Sequence, residues 1–210
     1  MTELLQEIKE SFSINDKTTG RLALALGSKG SGKTTFLNEY LKYCFRNKVF
    51  DIYMLVLPSY SIEASQAYSF IDEKDPNILI FEEYNEALPL KIMNYQKKLT
   101  KKKEKKKKIY FAIDDSSAEN INSFQMDNNL KKLITSIRHF STVLHIIAHS
   151  VSGTLSTFIR GNTDIMLLYN VSNMNLLESI YDEFLSLNKE FRKHKTNRKH
   201  KKWIKTKTFG

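Results

Sequence analysis

The 210 residues predict a single doubly wound α/β domain built on a mainly parallel sheet. Two observations carry that expectation. Short apolar runs bounded by breakers recur along the chain, and between them apolar residues repeat at spacings of three and four. A strand that reads as a near-continuous apolar run is covered on both faces, which is the pattern of a parallel sheet flanked by helices.

Leu22–Leu26 is the first such run, and a glycine-rich stretch follows it at residues 27–34. Phe36, Leu37, Tyr40, Leu41, Cys44 and Phe45 then lie on one helical stripe. Strands are expected at Phe50–Leu57 and Ile78–Phe81. From Glu86 to Lys108 the chain starts as a helix and loosens in its lysine run, because clustered like charge opposes helix continuation. Ile109–Ile113, Thr142–Ala148 and Asp164–Tyr169 complete the strands, and Leu176, Leu177, Ile180, Tyr181, Phe184 and Leu185 form a last helical stripe.

Charge divides the chain further. Residues 97–108 hold nine Lys and one Glu, and residues 189–210 hold ten Lys or Arg and one Glu, against a net charge of +10 for the whole. The rest is therefore acidic, and the organisation expected is a domain over residues 1–188 with a lysine-rich insertion at 97–108, then a basic tail at 189–210. Such runs stay solvated as linkers or meet polyanions. Trp203 in the tail is a packing anchor or a base-stacking ring. The lone Cys44 forms no intramolecular disulfide, the first twenty residues lack an apolar signal region, and no stretch is apolar enough to span a bilayer, so an intracellular, reduced protein is expected.

Gly27, Ser28, Lys29, Gly30, Ser31, Gly32, Lys33 and Thr34 fit G-x-x-x-x-G-K-[ST] between a predicted strand and a predicted helix, the context that this phosphate-binding motif needs. Its glycines let successive N–H groups turn inward around a polyphosphate, and the helix starting near Lys33 adds its positive dipole end. Lys33 is expected on the β- and γ-phosphates and the Thr34 hydroxyl on magnesium, with Thr35 completing the nucleotide-binding segment. Asp114 and Asp115 follow the run Ile109–Ile113, which delivers both to the C-terminal edge of the sheet. Asp114 then holds magnesium directly or through water, while Asp115 orients or deprotonates the attacking water. Alone, tandem acids after a strand also serve as caps or turn residues.

Downstream the chain reads Arg138 and His139, the strand-like TVLHIIA, His149, and then Leu155, Ser156, Ile159, Arg160, Asn162 and Asp164. This succession resembles the genome-packaging ATPases of large DNA viruses, virophages and related elements, within the FtsK–HerA superfamily of DNA-pumping motors. That family carries an R-H pair before a strand ending in a polar sensor, usually Gln, followed by L-P-x-x-I-R-x-N-x-D. The resemblance spans about residues 20–188 and departs at two positions, His149 in place of the Gln and Ser156 in place of the Pro. A neutral His still donates one hydrogen bond to a phosphate oxygen or water, and its protonation would make turnover depend on pH.

The resemblance implies a RecA/FtsK-like P-loop NTPase fold, ATP and Mg2+ as cofactors, and DNA translocation driven by ATP hydrolysis. It casts His149 as the sensor and Arg138 and Arg160 as sources of charge for the transition state, within a subunit or from a neighbour. It also implies a homo-oligomeric ring, a hexamer, around double-stranded DNA held without sequence reading by the basic segments. A capsid portal or vertex protein would be a further partner, in host cytoplasm, viral factory or virion. Asn162 and Asp164 are expected to shape the turn before the last strand. Two other functions share the loop: a nucleotide-gated DNA-binding switch, and a small-molecule nucleotide kinase or GTPase. The N-K-x-D motif of a GTPase does not occur in the sequence.

Overall fold

The structure is a computed structural model that describes residues 20–28, 30–57, 68–72, 74–114, 127–148 and 157–170. The helical stripe expected at 176–185 and the basic tail lie outside the described residues. The described elements are β1 (Arg21–Leu26), α1 (Lys33–Asn47), β2 (Ile52–Val56), β3 (Ile78–Phe81), α2 (Ala87–Lys101), β4 (Ile109–Ile113), α3 (Asn128–Thr135), β5 (Thr142–Ala148), α4 (Thr157–Gly161) and β6 (Ile165–Leu168). All six strands are parallel, in the order β3-β2-β4-β5-β1-β6.

Alternation along each strand divides the core into two layers. Leu22, Leu24 and Leu26 of β1, Phe111 and Ile113 of β4 and Leu144 and Ile146 of β5 pack beneath α2 and α3. Ala23, Ala25, Tyr110, Ala112, Val143 and Ile147 face the other way, against Phe36, Leu37, Tyr40, Leu41 and Cys44 of α1. The two alanines of β1 leave room for α1 to sit close over the strand that precedes it. Leu37 is fully buried there, and truncation to Ala would cost about 2–5 kcal/mol in transfer and cavity energy.

The helix ends follow local chemistry. Gly32 caps α1 in the left-handed region, φ 93°, and no acidic side chain occupies the first turn. The Asn85 side chain accepts from the Ala87 amide at 2.8 Å where α2 begins, and Pro89 sits in the first turn of α2, where a missing N–H costs nothing. Asp127 caps α3 by accepting from the Asn129 amide at 2.6 Å.

Three expectations shift. Phe50–Leu57 contracts to Ile52–Val56 and Asp164–Tyr169 to Ile165–Leu168, although Leu57 N–H still donates to Phe81 O, and Asp164 and Tyr169 N–H to Leu22 O and Leu26 O, at the strand ends. The α3 helix escapes a reading by apolar periodicity because only Leu130, Leu133 and Ile134 of its eight residues are buried apolar groups. The expected loosening of the second helix begins after Lys101, so five residues of the lysine run are still helical and Leu99 among them is buried. No helix among the described residues is long and apolar enough to cross a membrane.

Candidate active site

At the C-terminal edge of the sheet, β1 runs into the glycine-rich loop. Gly27 lies so close to the end of β6 that an added Cβ would stand 2.6 Å from Tyr169 Cβ. Ser28 N–H donates to the Asn170 carbonyl at 3.1 Å, and Ser31 N–H donates back to Ser28 O at 3.2 Å, closing the turn. Gly30 and Gly32 both hold positive φ, 74° and 93°, which is the conformation that lets the amides of such a loop face inward. The Ser31 hydroxyl is buried and has no hydrogen-bond partner among the described residues.

Lys33 opens α1 and folds back over the loop. Its ammonium donates to the carbonyls of Gly27 at 2.8 Å and Ser28 at 2.9 Å. Buried at 5% exposure, this is a cation held within the cradle it would share with a phosphate. Thr34 stands beside it, and its hydroxyl donates to Asp114 Oδ2 at 3.3 Å. Thr35, the next residue, is exposed on the first turn of α1.

Asp114 reaches this point through strand alternation. Tyr110 and Ala112 face α1, and Asp114 continues their side of β4 one step past the last strand residue. The carboxylate is buried at 1% exposure and receives a second donor, the Tyr68 hydroxyl, at 2.6 Å. β4 is not the neighbour of β1; β5 lies between them, with Leu26 level with Ala148 and Ile113 level with Ile146. The C-terminal end of β5, at Ala148, therefore lies between the strand that leads into the loop and the strand that leads to the acid. Lys29, Asp115 and His149 lie outside the described residues.

The donor set suits a phosphate and a hard divalent cation. Loop amides, an ammonium and the first turn of a helix without acidic residues complement polyphosphate charge. One hydroxyl and one buried carboxylate oxygen in mutual contact are the few protein oxygens that a mostly hydrated magnesium takes when phosphates supply the rest. Lys33 and the loop residues Gly27, Ser28, Gly30, Ser31 and Gly32 would hold the phosphates, while Thr34 and Asp114 would hold the metal.

The two arginines are elsewhere. Arg138 precedes β5, at the N-terminal edge of the sheet, where Thr142 N–H donates to Ile137 O at 3.4 Å. The seven residues of β5 separate that edge from the loop, a span of roughly 20 Å at about 3.3 Å per residue. Its side chain is 75% exposed and lies 3.9 Å from Asp164. Arg160, on α4, sits four residues before Asp164, whose amide donates to Leu22 O at 2.9 Å and whose carboxylate accepts from Leu22 N–H at 2.8 Å. Asp164 thus ties the start of β6 to the start of β1, and Asn162 Nδ2 donates to Phe158 O at 2.8 Å in the same turn. Within one subunit the fold brings Lys33, Thr34 and Asp114 together and leaves Arg138 on the opposite edge.

That opposite edge also carries the lysine run. Gln96 of α2, fully buried, donates to the carbonyls of Lys107 at 2.6 Å and Phe140 at 2.8 Å, and accepts from Lys107 N–H at 3.2 Å. Lys108 N–H donates to Asp51 Oδ2 at 2.6 Å, and Asp51 N–H donates back to Lys108 O at 2.8 Å. The backbone at the end of the run is thereby fixed at Lys107 and Lys108, close to the starts of β2, β4 and β5, and most lysines of the run are exposed. Sequence reasoning missed both Gln96 and Tyr68. Neither stands in a motif, and only the fold shows that their side chains meet distant backbone or carboxylate groups.

No protein-family model matches this chain, and no curated protein matches it. Solved structures do. The genome packaging NTPase B204 of Sulfolobus turreted icosahedral virus 2, in complex with sulfate, is 16% identical with a TM-score of 0.60, covering 85% of this chain and 87% of that one. The same NTPase in complex with AMP is 19% identical with a TM-score of 0.59, covering 87% and 89%. The cytoplasmic domain of EssC is 14% identical with a TM-score of 0.52 over 77% of this chain and 33% of that one. The chain shares the α/β P-loop NTPase fold of these structures.

Proposed function

We propose that this chain is a magnesium-dependent ATPase whose turnover moves double-stranded DNA into a viral or virophage capsid. The observation that carries the reading is the convergence of Lys33, Thr34 and Asp114 at the mouth of a loop with Gly30 and Gly32 at positive φ. Lys33 would bind and orient the terminal phosphates. Thr34 and Asp114 would hold magnesium, which when bound spreads the charge developing on the transferred phosphoryl group. Asp115, which follows directly in sequence, is assigned the attacking water, and His149, following Ala148, is assigned the sensor role.

Placement of Arg138 on the far edge favours its action on a neighbouring subunit, and so a homo-oligomeric ring, with a hexamer as the form implied by resemblance. The lysine run supports nucleic acid as the partner: ammonium groups act as point charges on phosphates and read no sequence. A portal or vertex protein of the capsid would receive the ring.

The test is phosphate release by the purified chain with and without duplex DNA, alongside light scattering. Hydrolysis stimulated by duplex in a multi-subunit particle supports the motor. A phosphorylated nucleotide product would make it a kinase, and nucleotide-dependent DNA binding without turnover would make it a switch.

A further inference from the structure

Asp114 accepts two hydrogen bonds on one oxygen, and the shorter comes from outside the phosphate loop. Tyr68 OH donates to Asp114 Oδ2 at 2.6 Å, whereas Thr34 Oγ1 stands 3.3 Å from the same atom. A hydroxyl–carboxylate contact of that length is in the range of charge-assisted bonds, roughly twice as strong as neutral ones. Both partners are buried, Tyr68 at 4% exposure and Asp114 at 1%, so bulk water does not compete for the bond.

Tyr68 is itself fixed. The Ile71 amide donates to the Tyr68 carbonyl at 2.9 Å, closing a turn over Tyr68–Ile71, and Ile71 is buried. Phe70 in that turn packs at 6.1 Å between ring centroids on Phe45 of α1, and the Lys42 ammonium lies 5.1 Å over the Phe70 ring. The turn therefore rides on α1, the helix that begins with Lys33 and Thr34, while its tyrosine reaches across to the end of β4. Packing alone would be served by Phe at position 68. A hydroxyl aimed at the metal-site acid requires a further account.

We propose that Tyr68 is a positioning residue, which fixes the Asp114 carboxylate for the divalent cation and couples the Tyr68–Ile71 turn to the state of the nucleotide site. The inference rests on the proposed function, since it assumes a metal held by Thr34 and Asp114. Carboxylates that ligate metals depend on such outer donors for their orientation, and losing one typically weakens metal binding by about 10- to 100-fold.

The experiment is equilibrium binding of a fluorescent ATP analogue to the full chain, titrated with magnesium chloride and repeated in chelator. Tyr68→Phe should raise the magnesium concentration for half-maximal tight binding by about 10-fold or more. Its affinity in chelator should match the unsubstituted chain, because Lys33 and the loop amides are untouched. In an Asp114→Asn background the tyrosine substitution should have no further effect, as expected of a residue acting through that acid. Equal magnesium requirements for the two proteins, or equal losses with and without magnesium, would overturn the role of Tyr68. An unsubstituted chain whose nucleotide binding ignores magnesium would instead remove the metal reading beneath it.

Discussion

Tyr110 and His145 share a hydrogen bond of 2.7 Å between neighbouring strands, inside the layer covered by α1. The register sets Tyr110 opposite Val143 and His145 opposite Ala112, so the pair is diagonal across the ladder. Both residues are fully buried. Burial pushes the Tyr110 hydroxyl well above its ordinary range and lowers His145 to about 3, so a neutral imidazole and a neutral phenol make the bond at physiological pH.

Acid should therefore destabilise the domain through His145. In the unfolded chain this group titrates near 6.5, and in the folded chain near 3, so between those values the unfolded state binds the extra proton. Stability is lost as pH falls through that window, by about 2 kcal/mol between pH 7 and pH 5 from this group alone. Denaturant melts of the chain and of His145→Gln at both pH values isolate the contribution. A stability difference between the two proteins that does not change with pH would refute it.

Lys33→Ala should reduce ATP hydrolysis by at least about 100-fold and weaken nucleotide binding, because it removes the cation held over the loop at Gly27 O and Ser28 O. Turnover measured by phosphate release decides the matter. A rate near that of the unsubstituted chain would mean that the loop is not where hydrolysis occurs.

Asp115→Asn should slow hydrolysis while ATP stays bound, since the amide keeps the shape and loses the basicity assigned to this residue. Filter retention of labelled ATP beside a turnover assay reads both quantities. An unchanged rate takes the attacking water away from Asp115.

Replacing Lys103, Lys105, Lys106, Lys107 and Lys108 by Gln should flatten the dependence of duplex binding on salt, by about 0.9 in log–log slope for each phosphate that is no longer neutralised. DNA-free ATPase activity should persist, because Lys107 and Lys108 are anchored at the edge of the sheet remote from the phosphate loop. Titrations from low to moderate salt test this, and an unaltered slope would return the run to a merely solvated one.

Gln96→Leu should destabilise the fold by roughly 2–4 kcal/mol. It strands the carbonyl and the amide of Lys107, which Gln96 satisfies from a fully buried position, and leaves Phe140 O with the Thr142 hydroxyl as its donor. Chemical denaturation measures the loss, and a change below about 0.5 kcal/mol would show that water replaces the side chain there.

Four strands lie within a residue of where their apolar runs place them: β1, β4 and β5 are buried along nearly their whole length, which keeps the run continuous, and the edge strand β3 is bounded by Asn77 and Glu82. The glycine-rich turn between β1 and α1 was equally legible, since Gly27, Gly30, Gly32 and Lys33 lie within seven residues of one another. Helix α3 was not, since its short apolar face of Leu130, Leu133 and Ile134 is too brief to stand out from its polar neighbours. Tyr68 was invisible for a different reason: its partner lies 46 residues away, and no local pattern distinguishes a tyrosine aimed at a carboxylate from one filling a core.

By itself the sequence determined the parallel α/β class, the loop at 27–34 and the acid after β4, all of which depend on near neighbours along the chain and on strand periodicity. Only the tertiary structure decided that β5 separates loop from acid, that Arg138 and the lysine run occupy the far edge, and that Tyr68 clasps Asp114. Those facts follow from strand order and crossover path. A chain can thread one set of periodic segments through a sheet in several orders, and packing across the whole domain selects among them.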